Sequence, residues 1–142
     1  MAAQRGAVVA YVALGANLGD AQKSVQQAMN DLGELPGTQV LERSAVLRTA
    51  PWQTEGPDFF NAVVRLQTLL TAPALLLQLQ RLEQLAKRER PYRYAPRTLD
   101  LDLIFYGSGR IDSAWLQVPH PRWHERDFVK QPLAQLTAPN AL

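Results

Sequence analysis

Asp100 and Asp102 stand one residue apart in the run Pro96-Arg97-Thr98-Leu99-Asp100-Leu101-Asp102-Leu103-Ile104. In a strand, successive side chains alternate between the two faces. Leu99, Leu101 and Leu103 would then enter a core. The two carboxylates would share the other face, with Cα atoms about 7 Å apart. Carboxylates this close repel each other unless something positive lies between them. Oxygen ligands of this kind suit Mg2+, which takes one or two carboxylates and completes its shell with phosphate oxygens and waters. The pair could hold one ion or bridge two, and two ions can clamp both ends of an in-line phosphoryl displacement. A plainer alternative is two solvated aspartates on an exposed strand. Nucleotide-sugar transferases also use such a pair, so it does not name a reaction by itself.

The residues upstream add charge of the opposite sign. Arg81, Lys87, Arg88, Arg90, Arg93 and Arg97 face only Glu83 and Glu89, in a chain whose net charge is just +2. A local basic cluster points to an anionic ligand, with a solvated helix face as the alternative. Arg97 lies three positions before Asp100. Metal ligands and a phosphate-binding cation in one segment make a polyphosphate site coherent. His120 and His124 have i, i+4 spacing, but Pro119 and Pro121 oppose a regular helix there and no third ligand is near, so zinc is not supported.

The elements that must position these residues follow from the patterning. Val8 to Leu14 reads as a buried strand stopped by Gly15. Asp20 can cap a helix carrying Ala21, Val25, Ala28, Met29 and Leu32 on one side, with Gly33 as its stop. Val40 to Thr49 reads as one strand, and Ala50 to Pro57 as a loop. Phe59 to Thr68 alternates, with Phe60, Ala62, Val64 and Leu66 on one face and Phe59, Asn61, Val63 and Arg65 on the other. Thr71 can cap a second helix with a stripe of Leu75, Leu79, Leu82 and Leu85, interrupted by Pro91. Thr98 to Tyr106 is the last strand expected. The tail from Ile111 is irregular, with a short helix near Gln131 to Leu136. The order strand, helix, strand, strand, helix, strand predicts an α+β fold, a ferredoxin-like sandwich of an antiparallel sheet with flanking helices. With 142 residues, 46% of them hydrophobic and 20% charged, a single domain is expected, with residues 1–6 a flexible N-terminus. There is no cysteine and no convincing targeting or membrane segment, which favours the cytoplasm.

Taken together, several stretches resemble a known family. Arg93 to Ile104 resembles the signature of the 6-hydroxymethyl-7,8-dihydropterin pyrophosphokinases. Ala10 to Leu18, Arg48-Thr49-Ala50-Pro51, Pro57 to Ala62 and Val118-Pro119-His120-Pro121 agree with that family in order. The resemblance covers about Val9 to Leu133. It implies a three-layer α-β-α fold, ATP as cosubstrate, two Mg2+ ions, and the pterin diphosphate and AMP as products in folate biosynthesis.

It also implies roles for single residues. Asp100 and Asp102 would be the metal ligands, and Asp100 would also orient the pterin hydroxyl. Arg88 and Arg97 join them as catalytic positions, with Arg88 and Arg90 on a mobile loop. Gln80, Glu83, Arg90, Tyr94, Leu103, His120, Pro121 and Arg126 would meet ATP. Thr49, Ala50, Trp52, Phe59, Asn61 and Phe128 would meet the pterin, the two phenylalanines by stacking on its ring and Asn61 through its amide. Tyr94 stands where the family often has tryptophan, and Trp52 where it has a smaller aliphatic residue. A monomer is expected, without nucleic-acid or membrane partners. The competing readings are an RNA-binding ferredoxin-like module, a ligand sensor without chemistry and a metal-dependent nucleotide hydrolase. The first fits poorly, because acids on the last strand would repel a phosphate backbone.

Overall fold

The alternation of Phe59–Thr68 is realised as a central strand whose two faces meet two different cores. The computed structural model describes residues 6–50, 56–88 and 99–139, with the backbone alone for Lys87 and Arg88. The expectations for the N-terminal five residues, for Trp52, and for Arg90, Tyr94 and Arg97 lie outside the described residues, as does the Arg88 side chain.

In chain order the elements are β1 (Val8–Ala16), α1 (Ala21–Gly33), β2 (Thr38–Arg43), β3 (Leu47–Thr49), β4 (Phe59–Thr68), α2 (Ala72–Arg88) and β5 (Asp100–Tyr106). A small ribbon of β6 (Ile111–Asp112) and β7 (Gln117–Val118) follows, then a single 3-10 turn (Trp123–Glu125) and α3 (Asp127–Leu133). The main sheet is antiparallel in the order β2-β4-β1-β5, with β3 also paired to β4. Among the described residues β5 is therefore an edge strand. The result is the expected α+β sandwich: α1 and α2 cover one face and α3 the other. No described helix is long and apolar enough to cross a membrane.

Both faces of β1 are buried, which explains its almost unbroken apolar sequence. Ala10, Val12 and Leu14 pack under α1 and α2 beside Val25, Leu32, Leu75 and Leu79. Tyr11 and Ala13 pack on the other side with Val63, Phe105, Val129 and Leu133. Each fully buried Leu or Val contributes about 1.5–3 kcal/mol through lost apolar exposure. An irregularity in β5 keeps this partition. Tyr11 pairs with Phe105 but Val12 with Leu103, so Ile104 is an extra residue. That bulge puts Ile104 and Phe105 into the second core while Leu101 and Leu103 stay in the first.

Besides the β6–β7 ribbon, details differ from the sequence reading in five places. β1 runs through Gly15 to Ala16 instead of stopping, because Gly15 still pairs with Asn61 on one side and Asp100 on the other. Gly33 is the last residue of α1 and Glu34 its C-cap. The expected strand over 40–49 is two strands. Buried Ser44 breaks it, its amide donating to the Val63 carbonyl (2.9 Å) and its hydroxyl accepting from the Val63 amide (2.9 Å). The stripe of α2 continues from Leu82 to Ala86, and Leu85 is 45% exposed. At roughly 100° per residue, position 86 returns to the face of Leu75 and position 85 does not. The tail helix starts at Asp127 and ends at Leu133, with Pro132 in its final turn.

Candidate active site

Three neighbouring strands place one polar or small residue each in a row. Asn61 on β4 pairs with Gly15 on β1, and Gly15 pairs with Asp100 on β5. Residues directly opposed across antiparallel strands share a face, here the face on which α3 packs. Asn61 is 4% exposed, and its side-chain Nδ2 donates to Thr49 Oγ1 at 3.0 Å. Thr49 in turn pairs with Phe59, which is half-buried. The ends of the 50–57 stretch are tied by an ion pair of Arg48 with Asp58 (2.8 Å), and the Arg48 guanidinium lies 5.8 Å from the centre of the Phe60 ring. Phe60 packs against the first core, as the alternation requires.

On β5 the alternation holds as well. Leu99, Leu101 and Leu103 are buried, Asp100 is exposed and Asp102 half-exposed. Asp102 Oδ2 lies 3.8 Å from Arg126 Nη1. Arg126 is the N-cap residue of α3, and its guanidinium sits 5.6 Å from the ring centre of Phe128, in the first turn of that helix. Phe128 is 37% exposed. The start of α3 thus presents a cation and a half-open aromatic ring beside the acidic end of the edge strand.

The outer edge of β5 borders a cleft of about 420 Å3. Leu76 of α2, Leu101, Asp102 and Leu103 of β5, residues 113–117 of the ribbon, and His120 and Pro121 line it. His120 is fixed by its amide, which donates to the Ile104 carbonyl (2.9 Å), and by its ring Nδ1, which accepts from the Arg122 amide (3.1 Å). Accepting at Nδ1 leaves the proton of the neutral ring on Nε2. Burial holds the imidazole below its ordinary pKa of 6.5; the Asp102 carboxylate opposes that shift, and Arg126 and Arg122 reinforce it. Glu83 of α2 reaches the same edge, where its Oε2 accepts from the Leu101 amide at 3.0 Å. It thereby satisfies a backbone donor that an edge strand would otherwise leave to water. Gln80 lies exposed near one turn earlier.

The geometry therefore brings together Asp102, Leu103, His120 and Pro121 around the cleft, with Arg126 on Asp102. Asn61, Thr49 and Phe59 form a second group along the sheet, and Asp100 lies between the two groups. Ala50 is exposed at the end of β3. The sequence reading missed the ribbon. Ser113, Trp115 and Leu116 all line the cleft, and Trp115 is 88% exposed. The signal was a tryptophan beside the one turn of a short hairpin, in a segment read as irregular.

The sequence matches the family of 7,8-dihydro-6-hydroxymethylpterin-pyrophosphokinases (HPPK) over residues 11–138. The chain belongs to this family. Its HPPK match runs from β1 into the segment after α3, so it spans both groups of site residues. Among similar proteins, the 2-amino-4-hydroxy-6-hydroxymethyldihydropteridine pyrophosphokinase of Synechocystis sp. is 39% identical over 127 residues, 89% of this chain and 65% of that protein. The enzyme of the same name from Haemophilus influenzae is 35% identical over 132 residues, 92% of this chain and 82% of the relative. That of Bacillus subtilis is 37% identical over 129 residues, 90% of this chain and 77% of the relative. The HPPK unit also occurs within longer chains: the folate synthesis bifunctional protein of Pisum sativum is 39% identical over 126 residues, 24% of its length.

Proposed function

We propose that this protein transfers the diphosphate group of ATP to the hydroxymethyl oxygen of 6-hydroxymethyl-7,8-dihydropterin, releasing AMP, as a step of folate synthesis. The observation that carries this reading is the placement of Asp100 between two groups of residues of different character, with Asp102 one strand step away on the wall of the cleft. On one side lie the buried Asn61 amide and the half-buried Phe59, and the partly open Phe128 stands at the start of α3; such groups suit a flat heterocycle with donor and acceptor edges. On the other lies a partly apolar cleft with His120 in its wall, which suits a nucleotide. The reacting atoms would meet over the acids.

The chain's own residues divide the work as follows. Asn61 fixes the pterin edge, and Phe59 and Phe128 hold its ring. Asp100 orients the hydroxymethyl group. Its oxygen attacks the β-phosphorus, the bond from that phosphorus to the α–β bridging oxygen breaks, and AMP departs while the hydroxyl proton is released. Leu103, His120 and Pro121 hold the nucleotide, with Gln80, Glu83, Arg90 and Tyr94 on its other contacts. Arg88, Arg97 and Arg126 meet phosphate oxygens. Ala50 and Trp52 complete the pterin side. Catalysis of this kind is mainly positioning and charge neutralisation.

Among the described residues no group of three or more His, Cys, Asp or Glu is gathered for a metal. Two carboxylates with oxygen-only donors still fit Mg2+, whose shell is completed by phosphate oxygens and water. Asp100 and Asp102 would hold two such ions, which neutralise developing charge on the phosphates when bound. The same reading has the protein act as a cytoplasmic monomer. The decisive test is AMP release from Mg·ATP with and without 6-hydroxymethyl-7,8-dihydropterin, with the product mass recorded. Pterin-dependent AMP and a diphosphate-sized mass gain are expected; AMP release indifferent to the pterin would overturn the transfer reaction in favour of hydrolysis.

A further inference from the structure

Gly15 occupies the middle of the row Asn61–Gly15–Asp100, and it is the one position there with no side chain. Two independent facts show that the backbone does not demand this. Gly15 is not among the glycines with positive φ, and it sits in regular ladder pairing with both neighbours. Glycine inside a strand is otherwise a loss, since it orders poorly and packs nothing. Its flanking residues Leu14 and Ala16 both carry buried side chains. The reason for glycine is therefore the space that a Cβ would fill.

That space belongs to Asn61. A Cβ on Gly15 would lie 2.9 Å from Asn61 Oδ1, closer than non-bonded atoms tolerate, whereas its next neighbour, the Phe60 carbonyl oxygen, would lie at an ordinary 4.0 Å. Asn61 has little freedom to yield, because it is buried and its Nδ2 is held by Thr49 Oγ1. We infer that Gly15 is a positioning residue for the pterin site: its missing side chain lets the Asn61 amide lie across β1 in the one orientation that keeps the Thr49 bond and presents the amide to the substrate. This rests on the reading of Asn61 as a pterin contact. The role is indirect, since Gly15 acts through Asn61.

A double-mutant cycle tests the idea. The pterin Kd is measured by calorimetry, and the ATP Kd separately, for wild type, Gly15→Ala, Asn61→Ala and the double variant. Gly15→Ala should raise the pterin Kd roughly tenfold, about 1.4 kcal/mol, and leave the ATP Kd unchanged. In the Asn61→Ala background the same change should have almost no effect, because the atom it displaces is gone. Equal effects in both backgrounds, or no effect of Gly15→Ala in the wild-type background, would overturn the inference. If Asn61→Ala itself leaves the pterin Kd unaltered, the assignment of Asn61 falls and the positioning role falls with it. Should Gly15→Ala fold poorly, the double variant decides: recovery of its Tm supports the clash with Asn61, and failure to recover rejects it.

Discussion

Asp102 lies 3.8 Å from Arg126 and also borders the cleft of about 420 Å3, where the proposed reaction would bring the phosphates. Asp102→Ala should abolish turnover while the circular dichroism spectrum and Tm stay close to wild type. Near-normal turnover would remove the metal-ligand assignment. Phe128 is half-open, and the loss of one stacking contact is worth about 0.5–1.5 kcal/mol. Phe128→Ala should therefore raise the pterin Kd roughly two- to twelvefold, measured by calorimetry, with ATP affinity unaffected. Trp115 gives a direct optical probe: ATP should quench its emission, and Trp115→Phe should abolish that change while Trp52 and Trp123 remain. A quench of undiminished size in that variant would place the nucleotide elsewhere. At this scale the sequence was most informative where spacing alone determines side. The acids on β5 and the pair Phe59 and Asn61 follow from strand alternation once the strands are recognised.

At the scale of elements, Glu83 joins α2 to the edge strand by accepting from the Leu101 amide. Removing the acceptor should cost about 1 kcal/mol. Glu83→Ala should lower the Tm of the ligand-free protein and speed hydrogen exchange at the Leu101 amide, and Glu83→Gln should restore most of both. If alanine leaves the exchange rate untouched, the bond does not support β5. The strands β1, β4 and β5 and the helices α1 and α2 were legible because burial imposes a period of two or of 3.6 on their sequences. What was not legible has a common physical origin. Ser44 interrupts the 40–49 strand through a hydrogen bond to Val63, nineteen positions away. The bulge at Ile104 depends on which core lies below each side of β1. The β6–β7 ribbon buries little beyond Leu116 and Val118 and so leaves almost no pattern. Each is decided by a distant partner that local patterning does not contain.

At the scale of the whole molecule, Thr137, beyond α3, is latched to the sheet. The Thr137 amide donates to both carboxylate oxygens of Glu42 (3.0 and 3.4 Å), its carbonyl accepts from the Tyr11 hydroxyl, and Arg65 pairs with Glu42 at 3.2 Å. The Thr137 hydrogen bonds, ahead of Arg65, hold Glu42 below its ordinary pKa of 4.5. A carboxylate depressed in the folded state adds stability that is complete above its unfolded value and disappears as pH falls through the folded one. The Tm advantage of wild type over Glu42→Gln should thus be full above about pH 4.5 and shrink on further acidification; a gap that does not change with pH would reject the latch. A different consequence follows from β5 lying at the margin of the sheet. Its sequence, Asp-Leu-Asp-Leu-Ile-Phe-Tyr, would be a strongly self-associating segment without its two acids. Negative charge at alternate positions of a sheet margin repels a second copy of the same strand. Asp100 and Asp102 would thus oppose stacking of this segment on a second copy. Variants that neutralise both acids should lose the proposed reaction and also gain a tendency to precipitate, which light scattering during refolding would show.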